Sequence, residues 1–278
     1  MKINKELNTI INNPETKPFL ADSFYPETQE KLSLIIFVHG YKGYKDWGAW
    51  NLMAEKFAEA GFYFVKFNFS HNGTTLEKPI EFADLNAFAE NNYSKELSDL
   101  KTVINFYSKK TEIDEKNITL IGHSRGGGIS IIETFEEEKI TKLITLASVD
   151  TLERFPKNEA FENWKNDGVY YTLNGRTQQN MPHHFQFFED FENNKNRFDI
   201  ESAMEQLKAK TLIIHGTGYE SVDAKSAEQL YLWNPRSEKL LIENANHTFG
   251  SKEPWTEDFL PKDLEIAIQK SIDFIAMK

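Results

Sequence analysis

A serine lies between two glycines at the end of a short apolar run, in the sequence Gly122-His123-Ser124-Arg125-Gly126. A serine at a sharp turn from a strand into a helix has a strained backbone, and glycines stand two residues before and after it because a Cβ there would collide with neighbouring elements. Such a turn exposes the hydroxyl oxygen. The motif therefore predicts that Ser124 is a nucleophile.

A nucleophilic serine needs a base, and a downstream base fits the chain order expected for this motif. Of the seven histidines, His247 follows the last predicted strand and is our candidate. We expect structural roles for the three histidines in or after predicted strands, which are His39, His123 and His215. For the adjacent pair His183 and His184 we expect a surface position, with substrate contact as the alternative.

Acyl transfer also requires two main-chain N–H groups that stabilise the oxyanion. The residue after the nucleophile supplies one of them, which here is Arg125. The loop His39-Gly40-Tyr41-Lys42-Gly43 follows a predicted strand and can supply the other. We expect this second donor to be the N–H of Tyr41.

The elements that position these residues alternate between strands and helices. Apolar runs predict strands at residues 32–38, 62–69, 118–121, 143–147, 211–215 and 239–242. Helical spacing of apolar residues predicts helices at about 46–60, 93–107, 223–233 and 262–274. This alternation is typical of an α/β fold with a mainly parallel central sheet covered by helices on both faces, here as a single domain over residues 1–278.

Residues 151–208 interrupt the alternation with many aromatic side chains among polar ones. A connection of this length is rarely without secondary structure, so we expect a helical lid insertion above the carboxyl ends of the strands, where ligands bind. Most of these aromatic side chains pack the insertion onto the domain in this interpretation. We expect Phe187 and Phe188 to contact the substrate.

Composition excludes several classes of function. The chain has 278 residues, no cysteine and a net charge of −11, which argues against disulfides, thiolate metal sites and a nucleic-acid partner. The adjacent histidines lack the spacing of a zinc-binding helix, so we expect no metal. Acyl transfer through a serine needs no cofactor, and we expect none. The first residues lack the apolar segment of a signal peptide and the apolar runs are strand-sized, which predicts a cytoplasmic protein without a membrane partner.

Taken together, these motifs resemble those of α/β-hydrolases in the serine carboxylesterase and serine aminopeptidase-like group, including the cinnamoyl and feruloyl esterases. The resemblance extends from about Lys31 to the end of the chain, and it rests on four segments: His39-Gly40-Tyr41, Gly122-His123-Ser124-Arg125-Gly126-Gly127, Leu212-Ile213-Ile214-His215-Gly216-Thr217 and Ala245-Asn246-His247. It implies that Ser124 is the nucleophile, His247 the base, and Tyr41 and Arg125 the oxyanion donors.

One position departs from that group. An aspartate that orients the histidine usually stands four residues after the histidine of the His-Gly segment, but here the residue is Tyr219. A neutral tyrosine cannot stabilise an imidazolium as a carboxylate does. The available substitutes are Glu220, Asp150 and Asp223, and the absence of any acid is a fourth possibility.

The function expected from the sequence is hydrolysis of a small-molecule carboxylic ester through an acyl-serine intermediate, with aromatic acyl esters as one possible class of substrate. A small-peptide hydrolase is the alternative with the same chemistry. Its anchor for a free amine would be an acidic residue of the insertion: Glu159, Glu162 or Asp167. A non-catalytic binding protein on the same fold is the alternative from another class.

Overall fold

The computed structural model describes residues 2–218 and 221–277. Its strands are β1 (Ile3–Ile11), β2 (Phe19–Pro26), β3 (Leu32–Val38), β4 (Tyr63–Phe67), β5 (Ile113–His123), β6 (Ile140–Leu146), β7 (Val169–Leu173), β8 (Asn180–His184), β9 (Lys210–Gly216) and β10 (Glu238–Ile242). Its helices are α1 (Trp50–Glu59), α2 (Leu85–Ala89), α3 (Tyr93–Tyr107), α4 (Arg125–Glu136), α5 (Glu159–Asp167), α6 (Gln186–Asn193), α7 (Ile200–Gln206), α8 (Lys225–Trp233) and α9 (Lys262–Ala276).

Eight strands form the central sheet in the order β1-β2-β4-β3-β5-β6-β9-β10. Within the central sheet, the neighbouring strands β4, β3, β5, β6, β9 and β10 pair in parallel. Strand β2 pairs antiparallel with both β1 and β4. The mainly parallel sheet predicted from the sequence is therefore confirmed. Because parallel strands end at the same sheet edge, the loops after β3, β5, β6, β9 and β10 lie together.

Helices cover both faces of this sheet. Alternate residues of β3 point to opposite faces, and Leu34 belongs to the apolar core that contains Leu97 of α3, whereas Ile35 belongs to the core that contains Phe57 of α1 and Ile268 of α9. Each face of the sheet thus has its own apolar layer. The predicted arrangement of helices on both faces is confirmed.

The insertion at residues 151–208 contains three helices, α5, α6 and α7, as we expected from its length. It also contains a feature that we did not predict, the antiparallel pair β7–β8. The sequence of β7, Val-Tyr-Tyr-Thr-Leu, consists largely of β-branched and aromatic residues, which favour strands.

Within the described part of the chain, none of the helices combines the length and the apolar character needed to cross a lipid bilayer.

Candidate active site

Ser124 occupies the turn between β5 and α4 with φ of 57° and ψ of −121°. A positive φ is uncommon for a residue with a side chain and stores strain at the turn. The turn is held on both sides, because the Ser124 N–H donates to the Leu146 carbonyl at 2.9 Å and the Ser124 carbonyl accepts from the Gly127 N–H at 3.0 Å. The strained conformation predicted for this serine is present.

The glycines around Ser124 are required by close backbone contacts. A Cβ on Gly122 would lie 2.4 Å from the carbonyl oxygen of Gly126, and a Cβ on Gly126 would lie 2.3 Å from the carbonyl oxygen of Val38. Any larger residue at either position would push α4 away from the sheet. The glycines thus allow α4 to begin directly after β5.

His247 lies in the loop after β10 and is half-buried. Its carbonyl oxygen accepts a hydrogen bond from Nε2 of His123 at 3.0 Å, and the two imidazole ring centroids are 4.9 Å apart. Burial, together with His123, His215 and Arg154, lowers the pKa of His247 to about 3. The imidazole is therefore neutral at pH 7, the form that can accept a proton.

Two cavities meet at these residues. The larger, about 490 Å³, and the smaller, about 250 Å³, share Tyr41, Lys42, Ser124 and His247 in their walls. The larger cavity is also lined by Arg125 and by residues of the insertion: Tyr170, Thr172, His183 and Phe187. The smaller cavity has an aromatic wall formed by Trp47 and Trp50. The structure therefore brings the predicted nucleophile and base into the same space.

The two predicted oxyanion donors border that space as well. Tyr41 follows β3, and Arg125 is the first residue of α4, where a main-chain N–H has no partner inside the helix. Within residues 2–218 and 221–277, neither the Tyr41 N–H nor the Arg125 N–H donates a hydrogen bond. Both N–H groups are thus available to an oxyanion.

The Arg125 side chain contacts aromatic rings and a carboxylate. Its guanidinium carbon is 4.2 Å from the centroid of the Tyr41 ring, and Nη1 donates to the buried carboxylate of Glu96 at 3.1 Å. This ion pair was not predictable from the sequence, because Glu96 lies on α3, far from Arg125 in the chain.

Solved structures with the same fold include several hydrolases. The ferulic-acid-bound Est1E from Butyrivibrio proteoclasticus is 17% identical, with 96% of this chain and 97% of that chain covered and a TM-score of 0.73. The fold here is that of the α/β-hydrolases. An esterase domain from Rhodothermus marinus (16% identity, coverage 99% and 97%, TM-score 0.64) and a dienelactone hydrolase from Anabaena variabilis (15%, 98% and 97%, 0.63) also share it. The chain matches no protein-family model, and no curated protein sequence is significantly similar to it.

His183 corrects one expectation about this α/β-hydrolase fold. We expected a surface pair, but His183 is 3% exposed and lines the larger cavity, whereas His184 is half-buried and contacts Glu90 at 2.5 Å. The two lie on β8, where successive side chains point in opposite directions. Met181, two residues earlier, is also buried, and this alternation was the signal in the sequence.

Among the other histidines, His39 and His215 are buried at the ends of β3 and β9. Nδ1 of His39 donates to the Gly40 carbonyl at 2.9 Å, and Nε2 of His215 donates to the Val222 carbonyl at 3.2 Å. Both hydrogen bonds fix loop backbone beside the strands, as a structural role requires.

Phe187 and Phe188 are adjacent on α6 but lie in different surroundings. Phe187 lines the larger cavity and its ring centroid is 4.8 Å from that of Tyr93. Phe188 packs inside the insertion, with its ring centroid 4.7 Å from that of Phe161. Only Phe187 borders the space around Ser124.

Two of the three candidate acids have partners elsewhere. Asp150 accepts from the Ser226 hydroxyl at 3.0 Å and lines a separate cavity of about 460 Å³ whose walls include neither Ser124 nor His247. Asp223 is exposed and accepts from the Lys225 N–H at 2.9 Å, at the start of α8. Glu220, the first candidate, and Tyr219 lie outside the described residues.

No group of three or more potential metal ligands occurs in the described residues.

Proposed function

We propose that this protein is a serine hydrolase that cleaves carboxylic esters through an acyl-serine intermediate. The observation that carries the proposal is the position of Ser124. This serine has a strained φ at the end of β5 and opens on the same two cavities as His247. A strained backbone at a cavity wall is typical of functional sites rather than of packing. The fold that the chain shares with solved esterases agrees with the proposal.

In the proposed mechanism His247 takes the proton of Ser124 as the serine oxygen attacks the ester carbonyl. The N–H groups of Tyr41 and Arg125 donate to the oxyanion that forms. His247 then returns the proton to the leaving alcohol and activates water for hydrolysis of the acyl-enzyme. Burial keeps the imidazole neutral before the attack, so a further group must stabilise the imidazolium that forms.

We propose Glu220 as that group. It adjoins Ser221 and Val222, which line the larger cavity together with His247. Asp150 and Asp223 have the other hydrogen-bond partners described above, which makes them weaker candidates. A glutamate in this role would restore the charge that Tyr219 cannot provide.

The two cavities fit the two halves of an ester. An aromatic acyl group would pack against aromatic side chains in either cavity, against Trp47 and Trp50 in the smaller one or Tyr170 and Phe187 in the larger. Phe187 is therefore a proposed substrate contact. The insertion that carries Phe187 would then act as a lid, as its position in the sequence suggested.

The arrangement gives less support to a small-peptide hydrolase. That function needs an acidic anchor for a free amine, and the three acidic residues that we considered, Glu159, Glu162 and Asp167, are exposed on α5 and line neither cavity. Esters, which need no such anchor, are the better supported substrates.

The test is active-site labelling with a fluorophosphonate, combined with hydrolysis of an aryl ester. Wild-type protein should be labelled and active, whereas Ser124→Ala should lose both properties and His247→Ala nearly all activity. Ser221→Ala is the matched control, because this serine lines the larger cavity outside the strained turn and should leave labelling intact. Labelling that persists in Ser124→Ala would refute the proposal. Wild-type protein that shows neither labelling nor turnover would favour the non-catalytic binding protein.

A further inference from the structure

The larger cavity has an unusual charge for this chain. The chain carries 43 acidic and 32 basic residues, yet the wall of this cavity contains Lys42, Arg125 and Arg154 and no acidic residue among those that the structure describes. Arg176 adds a cation to the smaller cavity, whose described wall also lacks an acid. Acidic residues are therefore absent from the described walls around Ser124, although they outnumber basic residues in the sequence.

Not all of this charge is available to a ligand. The ion pair between Arg125 and Glu96 offsets the charge of Arg125. Lys42 and Arg154 form no ion pair within the described ranges, and each donates to one main-chain carbonyl, Lys42 to Leu173 at 2.9 Å and Arg154 to Ser221 at 3.2 Å. An ammonium has three donors and a guanidinium five, so both side chains keep N–H groups for another acceptor.

The basic side chains also affect the pKa values of two residues in the cavity wall, His247 and Lys42. Arg154 is one of the groups that lower the pKa of His247, and burial together with Arg125 lowers the pKa of Lys42. Burial is the larger cause of both shifts, and repulsion from the neighbouring cations adds to it. A bound anion would relieve this repulsion.

We propose that the larger cavity binds a carboxylate on the ester substrate, held by Lys42 and Arg154. This inference rests on the proposed ester hydrolysis and specifies its substrate class: esters that carry a second, ionised acid group. The guanidinium of Arg154 can donate two parallel hydrogen bonds to a planar carboxylate, and the ammonium of Lys42 adds positive charge to the wall of the same cavity.

The test compares ligands that differ only in charge. Para-acetoxybenzoate and para-acetoxybenzamide carry the group on the alcohol side of the ester, and monomethyl terephthalate and methyl para-carbamoylbenzoate carry it on the acyl side. Binding is measured by calorimetry on Ser124→Ala, and kcat/KM on the wild type. We expect at least one carboxylate to bind about tenfold tighter than its amide, which corresponds to one charge-assisted hydrogen bond.

Three variants locate the effect. Arg154→Gln and Lys42→Gln, each combined with Ser124→Ala for the binding measurement, should each reduce the preference for the carboxylate several-fold. Arg236→Gln is the matched control, because Arg236 is also an exposed arginine that donates to one main-chain carbonyl, that of Leu207 at 2.7 Å, and lines neither cavity. It makes the same change in net charge and should keep the full preference.

The results separate this inference from the proposed function. Carboxylates that bind no tighter than their amides overturn the inference even if the wild type hydrolyses neutral esters. A preference that Arg236→Gln reduces as much as Arg154→Gln also overturns it, because the effect would then belong to net charge. A preference that depends on Lys42 and Arg154 supports it even if no ester is hydrolysed, in which case only the proposed function fails.

Discussion

The hydroxyl oxygen of Tyr41 lies 2.7 Å from Nε2 of His183. The same hydroxyl is 2.7 Å from Oγ1 of Thr172, so the loop after β3 is joined to both strands of the hairpin β7–β8. Burial, with Arg125 and Lys42, lowers the pKa of His183 to about 3, and Nε2 of the neutral ring accepts from Tyr41. The hairpin thus holds the residue whose N–H is the proposed oxyanion donor.

Removal of this hydroxyl should destabilise the protein. Tyr41→Phe keeps the ring and the main-chain N–H but removes the 2.7 Å hydrogen bond to Nε2 of the buried His183, which keeps only the longer 3.4 Å contact with the Thr172 hydroxyl. We expect a loss of about 1–3 kcal/mol in the free energy of unfolding and a lower kcat from a less firmly held loop, measured by urea unfolding and ester hydrolysis. Tyr171→Phe, at an exposed position of β7, is the control. Equal stability of the two variants would show that the hydroxyl contacts contribute nothing.

The neighbours Phe187 and Phe188 should respond differently to truncation. Phe187→Ala removes a wall of the larger cavity, so KM for an aryl ester should rise more than kcat falls. Phe188→Ala removes packing inside the insertion and should lower thermal stability while KM changes little. Steady-state kinetics and thermal unfolding on both variants make the comparison. A rise in KM for Phe188→Ala of the same size would contradict the assignment.

The regular elements with strong apolar periodicity could be predicted from the sequence. The bounds predicted for β3 and α3 agree with the structure, because the apolar pattern of each element ends where polar residues begin. The antiparallel strands β1 and β2 were both missed. The sequence of β1, Ile-Asn-Lys-Glu-Leu-Asn-Thr-Ile-Ile, is mostly polar and lies at the sheet edge, where little of it is buried, whereas β2 is buried but has Asp22 and Ser23 in the middle of its apolar residues. Local patterns carry information about burial, and an edge strand has little burial to reveal.

Pairings between distant residues could not be predicted. Nothing local to Arg125 points to Glu96, and nothing local to Asp150 points to Ser226. The sequence offered three carboxylates that could orient His247, but choosing among them depends on which side chains the fold brings together. The candidate nucleophile and base were easier to name, because Ser124 lies directly after β5 and His247 lies in the loop after β10.

The candidate acids give separate expectations. Glu220→Gln should reduce kcat by roughly 10³–10⁴ near pH 7 if this residue orients His247, because an amide favours the wrong tautomer and cannot offset the imidazolium charge. Asp150→Asn and Asp223→Asn should retain most activity, since their carboxylates have other hydrogen-bond partners. Tyr219→Asp should then change little. A large loss in Asp150→Asn instead would transfer the role to that residue.

The buried histidines predict a loss of stability in mild acid. Burial lowers the pKa of five histidines from 6.5 to about 3 or 4: His39, His71, His123, His183 and His247. The unfolded chain therefore binds more protons between about pH 4 and 6.5, so the stabilisation is complete above pH 6.5 and is lost as the pH falls. Two buried carboxyls act in the opposite direction, because burial raises the pKa of Asp99 to about 6 and that of Glu133 to about 7.

Burial also lowers the pKa of His215, so at pH 5 the histidines outnumber the two carboxyls and unfolding takes up protons. The thermal midpoint should therefore fall steeply between pH 7 and pH 5, as measured by circular dichroism or calorimetry. His71→Gln removes one of these histidines outside the two cavities around Ser124, so it should reduce the uptake by about one proton and flatten the decline. A midpoint that stays constant or rises over this range would mean that these histidines are protonated in the folded protein.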